Sequence, residues 1–319
     1  MLSEFELIRR YFDRPARSAL LGVGDDAALV KPEPGMALAV STDMLLEGRH
    51  FVVGADPRLL GHKALAVNLS DMAAMGATPR WATLALALPQ ADEAWLAAFS
   101  AGLYALAERY EVELIGGDTT RGSLAIAITI LGEVPEGRAL LRSGARPGDD
   151  IWVSGELGGA ALALAHGRGQ VKLARQDAVQ AARRLNEPEP RVALGERLRG
   201  LASSAIDVSD GFAGDLRHVL ERSAVSARVH YASLPRPAAL AALADSQLEA
   251  ECVLSGGDDY ELLFTAEPGK RAELAALAAE LRIALTRVGT IHAGGVLLEL
   301  LDAAGRAMPQ AAGFDHFRA

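Results

Sequence analysis

The 319 residues carry a net charge of -9 with a pI near 5.4, and half of them are hydrophobic with few aromatics. That balance excludes nucleic acid as the main partner, since a phosphate backbone demands a basic face, and a lone Cys252 excludes an internal disulfide or a thiolate zinc cluster. No apolar run approaches the roughly 20 residues that span a bilayer, and Met1 to Arg10 carries acids and no apolar leader core, so we expect a soluble cytoplasmic protein in a reducing compartment.

Ser3 with Glu6 three residues on is a capping box, and Phe5, Leu7, Ile8 and Phe12 make a helical stripe, so a short amphipathic helix is expected first. Gly22-Val23-Gly24-Asp25-Asp26-Ala27 mimics a dinucleotide fingerprint, but its two aspartates would repel a pyrophosphate; alone they read equally as a solvated turn. The apolar run Met36 to Val40 reads as a buried strand that stops at three oxygen-bearing residues, Ser41, Thr42 and Asp43. Asp56-Pro57 starts a helix over 57–75 and Gly76 with Pro79 stops it. Its spacing puts Asn68 and Asp71 on one face beside a stripe of Leu65, Leu69 and Met72. Apolar neighbours disfavour an unpaired carboxylate at Asp71 and invite a cation.

Asp92 opens a second helix with Leu96, Phe99, Leu103 and Leu106 at core spacing. Val112 to Ile115 reads as a short strand ending in Gly116-Gly117-Asp118-Thr119-Thr120-Arg121-Gly122, where two glycines permit close approach of a ligand to the backbone. A strand follows over 124–131. At 319 residues two domains are expected, and the glycine- and proline-punctuated stretch from Arg142 to Asp149 sets the boundary, giving 1–145 and 146–319. Beyond a strand at Ile151 to Ser154, the turn Gly155 to Gly159 enters a helix as a weak anion site. Charged residues 170–200 read as surface helices. Asp207-Val208-Ser209-Asp210-Gly211 then sits at a strand-to-helix turn, and Ser255-Gly256-Gly257-Asp258-Asp259-Tyr260-Glu261 precedes an apolar run.

Apolar elements breaking into aspartate beside glycine or hydroxyls recur five times, which is a vocabulary for hard cations. Mg²⁺ prefers carboxylate, hydroxyl and water oxygens and enters with substrate phosphates. No Gly-x-x-x-x-Gly-Lys-Ser/Thr loop and no His-Arg-Asp or Asp-Phe-Gly set is present, so common NTPase and protein-kinase chemistry is excluded.

In order, Gly-Asp-Asp, Ser-Thr-Asp, Asn-Leu-Ser-Asp-Met-Ala-Ala-Met-Gly, Gly-Gly-Asp-Thr-Thr-Arg-Gly, Arg-Ser-Gly-Ala-x-Pro-Gly-Asp, Ser-Ser-Ala-Ile-Asp-Val-Ser-Asp-Gly and Ser-Gly-Gly-Asp-Asp-Tyr-Glu-Leu make the chain resemble the bacterial thiamine-monophosphate kinase family from Phe5 to Phe317. The resemblance implies an α+β (mixed α/β), two-domain fold like that of aminoimidazole ribonucleotide synthetase. Its N-terminal sheet would be flanked by helices, would bind ATP and Mg²⁺ and would form a homodimer; an α/β domain would follow. It also implies ATP-dependent phosphorylation of thiamine monophosphate to thiamine diphosphate. By motif, Asp26, Ser41, Thr42, Asp43, Asp71, Asp118, Asp207 and Asp210 would hold magnesium; Gly117, Asp118, Arg142 and Ser209 would contact ATP; His50, Asp258 and Phe314 would meet thiamine monophosphate.

No catalytic base is expected, because the attacking phosphate, with a second pKa of about 6, is already mostly dianionic near neutrality. A related synthetase or hydrogenase-maturation protein would share the metal loops without the Gly-Gly-Asp-Asp-Tyr-Glu pattern. A metal-dependent phosphatase would release phosphate without an acceptor, and a nucleotide-sensing module would turn nothing over.

Overall fold

The computed structural model describes residues 3–309, and these divide into an N-terminal unit, up to Met72 together with Ala77–Gly137, and a C-terminal unit, Ala73–Gly76 together with the residues from Arg138 on. In the N-terminal unit the elements are α1 (Glu4–Tyr11), β1 (Met36–Leu46), α2 (Pro57–Ala74), β2 (Thr78–Leu88), α3 (Glu93–Arg109), β3 (Glu113–Arg121) and β4 (Ala125–Pro135). The capping box forms: the Glu6 carboxylate accepts the Ser3 amide at 2.8 Å while Ser3 Oγ accepts the Glu6 amide. Asp92 caps α3 by accepting the amides of Ala94 and Trp95.

The four strands run in the order β1-β4-β2-β3. Only β2 and β3 are parallel, as the intervening helix α3 requires. β1 corrects the sequence reading twice. It does not stop at Ser41 but continues through Ser-Thr-Asp to Leu46, because every residue pairs with β4, from Met36 opposite Pro135 to Leu46 opposite Ala125. Nor is it buried, since it lies at the sheet edge with one face uncovered: Val40 is 60% and Met44 56% exposed, against 5% for Leu45. β3 likewise runs through Gly116 and Asp118 to Arg121 instead of ending at Ile115. Gly117 is required by the sheet itself, for at φ +145° a Cβ there would lie 1.9 Å from the Leu84 carbonyl oxygen. Ile126, Ile128 and Ile130 supply the core side of β4.

The C-terminal unit comprises β5 (Asp150–Ser154), α4 (Gly159–Gly167), α5 (Arg175–Asn186), α6 (Val192–Leu198), β6 (Ser204–Val208), α7 (Phe212–Ser223), β7 (Ser226–His230), α8 (Ala238–Ala241), α9 (Ser246–Ser255), β8 (Glu261–Ala266), α10 (Arg271–Leu281), β9 (Leu285–His292) and β10 (Leu298–Leu301). Its six strands run β10-β7-β9-β5-β8-β6. β8 is buried along its whole length, which explains its unbroken Leu-Leu-Phe run. Ile151, Val153, Ile206, Phe212, Leu216 and Leu263 belong to one core of strands and helices. The mixed α/β class expected from the sequence is the class that forms.

Candidate functional site

In the N-terminal unit α2 lies against β1, and Ser41 Oγ donates to the Asp71 carboxylate. Alternation along a strand puts Asp43 on the same side as Ser41, half-buried like it, so three oxygen-bearing side chains converge where the β1 ladder meets α2. Thr42 points to the other face and shares a hydrogen bond with Thr129, Oγ1 to Oγ1, at 2.8 Å. Asp118 also faces away from that group. The ladder aligns it with Ala85, Ala127 and Met44, whereas Asp43 aligns with Ile128, Leu84 and Gly117. β1 and β3 are opposite edges of the sheet, three strand spacings or about 14 Å apart. One ion cannot take both the Asp43 and Asp118 carboxylates of a single sheet.

A cavity of about 830 Å³ opens at β3, lined by Phe5 and Ile8 of α1, by Asp25 and Asp26, and by Gly117 and Asp118. Asp26 therefore keeps company with Asp118. At the end of β1 the chain turns, and the Leu46 amide donates to His50 Nδ1 at 3.0 Å. The neutral ring consequently carries its proton on Nε2.

In the C-terminal unit Asp207 is buried within β6, and Ser209 and Asp210 are half-buried at the turn into α7. Asp215, one turn into α7, is a functional-site residue that sequence reading missed. Its carboxylate accepts the amides of Ser209 and Asp210, each at 3.1 Å. Burial, and then the charges of Asp207 and Asp210, push its carboxyl up to about 8. Those two amides are thereby spent within the chain, which leaves the Ser209 hydroxyl as its distinguishing contribution.

The Ser255–Tyr260 segment packs backbone to backbone on this turn. The Asp258 amide donates to the Ser209 carbonyl at 2.9 Å and the Tyr260 amide to the Val208 carbonyl at 2.8 Å. Gly257 permits the approach: a Cβ there would sit 2.3 Å from the Ser209 oxygen. Asp259 accepts the Gly158 amide at 2.7 Å, and burial pushes its carboxyl well above the ordinary range. The turn before α4, read from sequence as a weak anion site, is thus answered by the chain's own carboxyl group. Arg142 is exposed, with its carbonyl accepting from Ser223 Oγ at 3.2 Å. Phe314 lies outside the described residues.

The carboxylates therefore fall into separate groups: Asp71 and Asp43 with Ser41, Asp26 with Asp118, and Asp207 with Asp210 and Asp215. Among the described residues no three His, Cys, Asp or Glu side chains are gathered closely enough to hold a metal ion. The donor chemistry, carboxylate and hydroxyl oxygens without thiolate or imidazole pairs, suits a hard cation with open coordination positions for water and phosphate.

The model for AIR synthase related protein, N-terminal domain, matches residues 24–134, and that for the C-terminal domain matches residues 146–298, so the chain belongs to the AIR synthase related proteins. It is 45% identical over 321 residues to the thiamine-monophosphate kinase of Salmonella typhimurium, covering 98% of each chain. A crystal structure of thiamine-monophosphate kinase from Stenotrophomonas maltophilia K279a superposes with a TM-score of 0.85 at 46% identity, covering 95% of each chain. AaThiL complexed with AMPPCP and TMP superposes with a TM-score of 0.77 at 27% identity over 98% of this chain and 96% of that one. Within the AIR synthase related proteins, the chain belongs to the thiamine-monophosphate kinase family. No helix among the described residues is long and apolar enough to cross a membrane.

Proposed function

We infer that this chain transfers the γ-phosphoryl group of ATP to thiamine monophosphate, giving thiamine diphosphate and ADP in the cytosol. The observation that carries the reading is the 45% identity, over 98% of both chains, with a thiamine-monophosphate kinase. The likeness to a family member solved with AMPPCP and TMP supports ATP and thiamine monophosphate as the two substrates.

The residues for magnesium are Asp26, Ser41, Thr42, Asp43, Asp71 and Asp118 of the N-terminal unit and Asp207 and Asp210 of the C-terminal unit. The oxygen-only donor set fits the ion, as does the negative charge that Asp207 and Asp210 bring beside the buried Asp215. When bound, magnesium supplies charge neutralisation between two anionic phosphates and orients the transferring group.

The chain's own side chains do the rest. Gly117, Asp118, Arg142 and Ser209 take ATP, where the Arg142 guanidinium, with its fork of donors, suits a phosphate. His50, with Nδ1 tied to the Leu46 amide, presents Nε2–H as a donor toward the monophosphate. Asp258 and Phe314 complete the thiamine monophosphate contacts. No side chain removes a proton from the attacking oxygen, because that phosphate is already mostly dianionic near neutral pH. The geometric demand is in-line placement of two phosphates.

We further infer a homodimer formed through the N-terminal sheet. Leu38, Val40, Met44 and Leu46 expose one apolar row along edge strand β1, a surface that solvent alone does not favour. A second copy covering it would exclude water from the row.

Phosphorus NMR of purified protein with ATP, Mg²⁺ and thiamine monophosphate, alongside a tube lacking the acceptor, tests the activity. Thiamine diphosphate and ADP forming only with acceptor is the expected result. Free phosphate without acceptor would make the protein a hydrolase, and no turnover in either tube would reduce it to a binding role.

A further inference from the structure

Two of the three consecutive side chains after Gly257 hold their backbone in the left-handed region, Asp258 at φ +68° and Tyr260 at φ +51°. A bulky aromatic residue there is a true outlier, and such strain persists only where surrounding contacts impose it. Those contacts are explicit. The amides of Asp258 and Tyr260 are pinned to the carbonyls of Ser209 and Val208, and Asp259 is anchored on the Gly158 amide. Glu261, next in line, is gripped by Arg191. This folding brings two side chains together: Tyr260 Oη donates to Asp258 Oδ1 at 2.9 Å, reaching back two residues. The Tyr260 residue is 8% exposed, whereas Asp258 is half-buried.

We propose that Tyr260 is a positioning residue whose hydroxyl fixes the carboxylate of Asp258 for contact with the thiamine moiety of the acceptor. The proposal rests on the reading of Asp258 as a substrate residue. Packing alone does not call for a tyrosine, because phenylalanine fills the same volume; the hydroxyl is what sets the plane of the carboxylate. An aspartate has two side-chain torsions, and a hydrogen bond to one oxygen removes the freedom of the second. With the backbone of 258 tied to Ser209, the carboxylate is located relative to the segment that carries Ser209 and Asp210. Substrate binding then avoids ordering that side chain afresh.

The experiment compares steady-state kinetics of the full-length protein with Tyr260→Phe, Asp258→Asn and the double variant, varying thiamine monophosphate and ATP separately. Tyr260→Phe is expected to raise KM for thiamine monophosphate on the order of tenfold, with kcat within about twofold and KM for ATP unchanged. Asp258→Asn should do at least as much, and the double variant should be no worse than Asp258→Asn. Melting temperatures close to the parent's in all three variants are part of the expected result. If Asp258→Asn raises that KM and Tyr260→Phe does not, or if the two effects multiply, the positioning role is overturned. Parallel rises in both KM values with a lowered melting temperature in Tyr260→Phe would overturn it in favour of a structural role. An unchanged KM in Asp258→Asn would instead overturn the reading of Asp258 as a substrate contact.

Discussion

Arg191 and Glu261 meet as a forked pair inside the C-terminal unit, Nε to Oε2 at 2.6 Å and Nη2 to Oε1 at 2.5 Å, with the glutamate side chain only 2% exposed. Ser154 Oγ adds a third donor to the same carboxylate at 2.6 Å. Removing Arg191 leaves the buried carboxylate only the more distant, half-exposed Arg184, Nη1 to Oε1 at 3.7 Å, so Arg191→Met alone should cost about 3 kcal/mol of stability. Pairing it with Glu261→Leu should recover part of that loss. Urea denaturation of the two variants checks both statements, and equal losses would show that the pair is not the source.

The Ser41 hydroxyl donates to Asp71, and Asp43 takes the same side of β1 two residues on, a place suited to a hard cation. Asp43→Asn and Asp71→Asn keep the side-chain shape but lose the charge. Each should lower kcat by at least about a hundredfold, with circular dichroism and melting temperature close to the parent's. Turnover unchanged in either variant would remove that residue from the phosphoryl-transfer machinery.

Gly116 and Gly117 look interchangeable in the sequence but not in the sheet. A methyl on Gly117 would meet the Leu84 carbonyl at 1.9 Å, whereas one on Gly116 meets nothing nearer than Thr83 Cγ2 at 3.9 Å. Gly117→Ala is expected to destabilise by several kcal/mol, on the order of 3 or more, and Gly116→Ala by less than about 1. Thermal melts of the two single variants compare them directly.

Asp150 carries a pH dependence of known sign. Burial works against its charged form, yet hydrogen bonds from Arg271 at 2.6 and 2.8 Å and from Arg287 at 3.2 Å hold its carboxyl below the usual range. A depressed folded-state pKa stabilises above the unfolded value of about 4, and that contribution fades as pH falls through the folded value. Stability measured from about pH 4 downward should therefore fall less steeply in Asp150→Asn than in the parent. Identical slopes would assign the acid sensitivity elsewhere.

Local signals in the sequence identified α1 through its capping box, α2 through Asp56-Pro57 and Gly76, α3 through Asp92, and the β6-to-α7 turn. They failed where ladders overrode local preference. Ser41-Thr42-Asp43 and Gly116-Gly117-Asp118 are turn-forming residues, but continuous pairing with β4 and β2 keeps them extended. β2 was hidden because Pro79 reads as a breaker; it sits at the start of the strand, beside the register shift between Pro79 and Trp81. The acidic residues of the site were legible as a set, but the face each one takes depends on register, which spacing does not reveal. Nothing in the spacing of Asp215 or Asp259 marks the backbone amides each accepts, because folding alone brings those amides to them.

The left-handed residues Asp258 and Tyr260 have a practical consequence for anyone evolving this protein. Each holds a conformation that glycine adopts freely and that costs other residues about 1 kcal/mol or more. A library screened only for heat resistance is therefore drawn toward glycine at both positions, and gains robustness by erasing the carboxylate and the phenol. Screens that retain the parent pair must reward turnover at low acceptor concentration, where the strained turn gives its return.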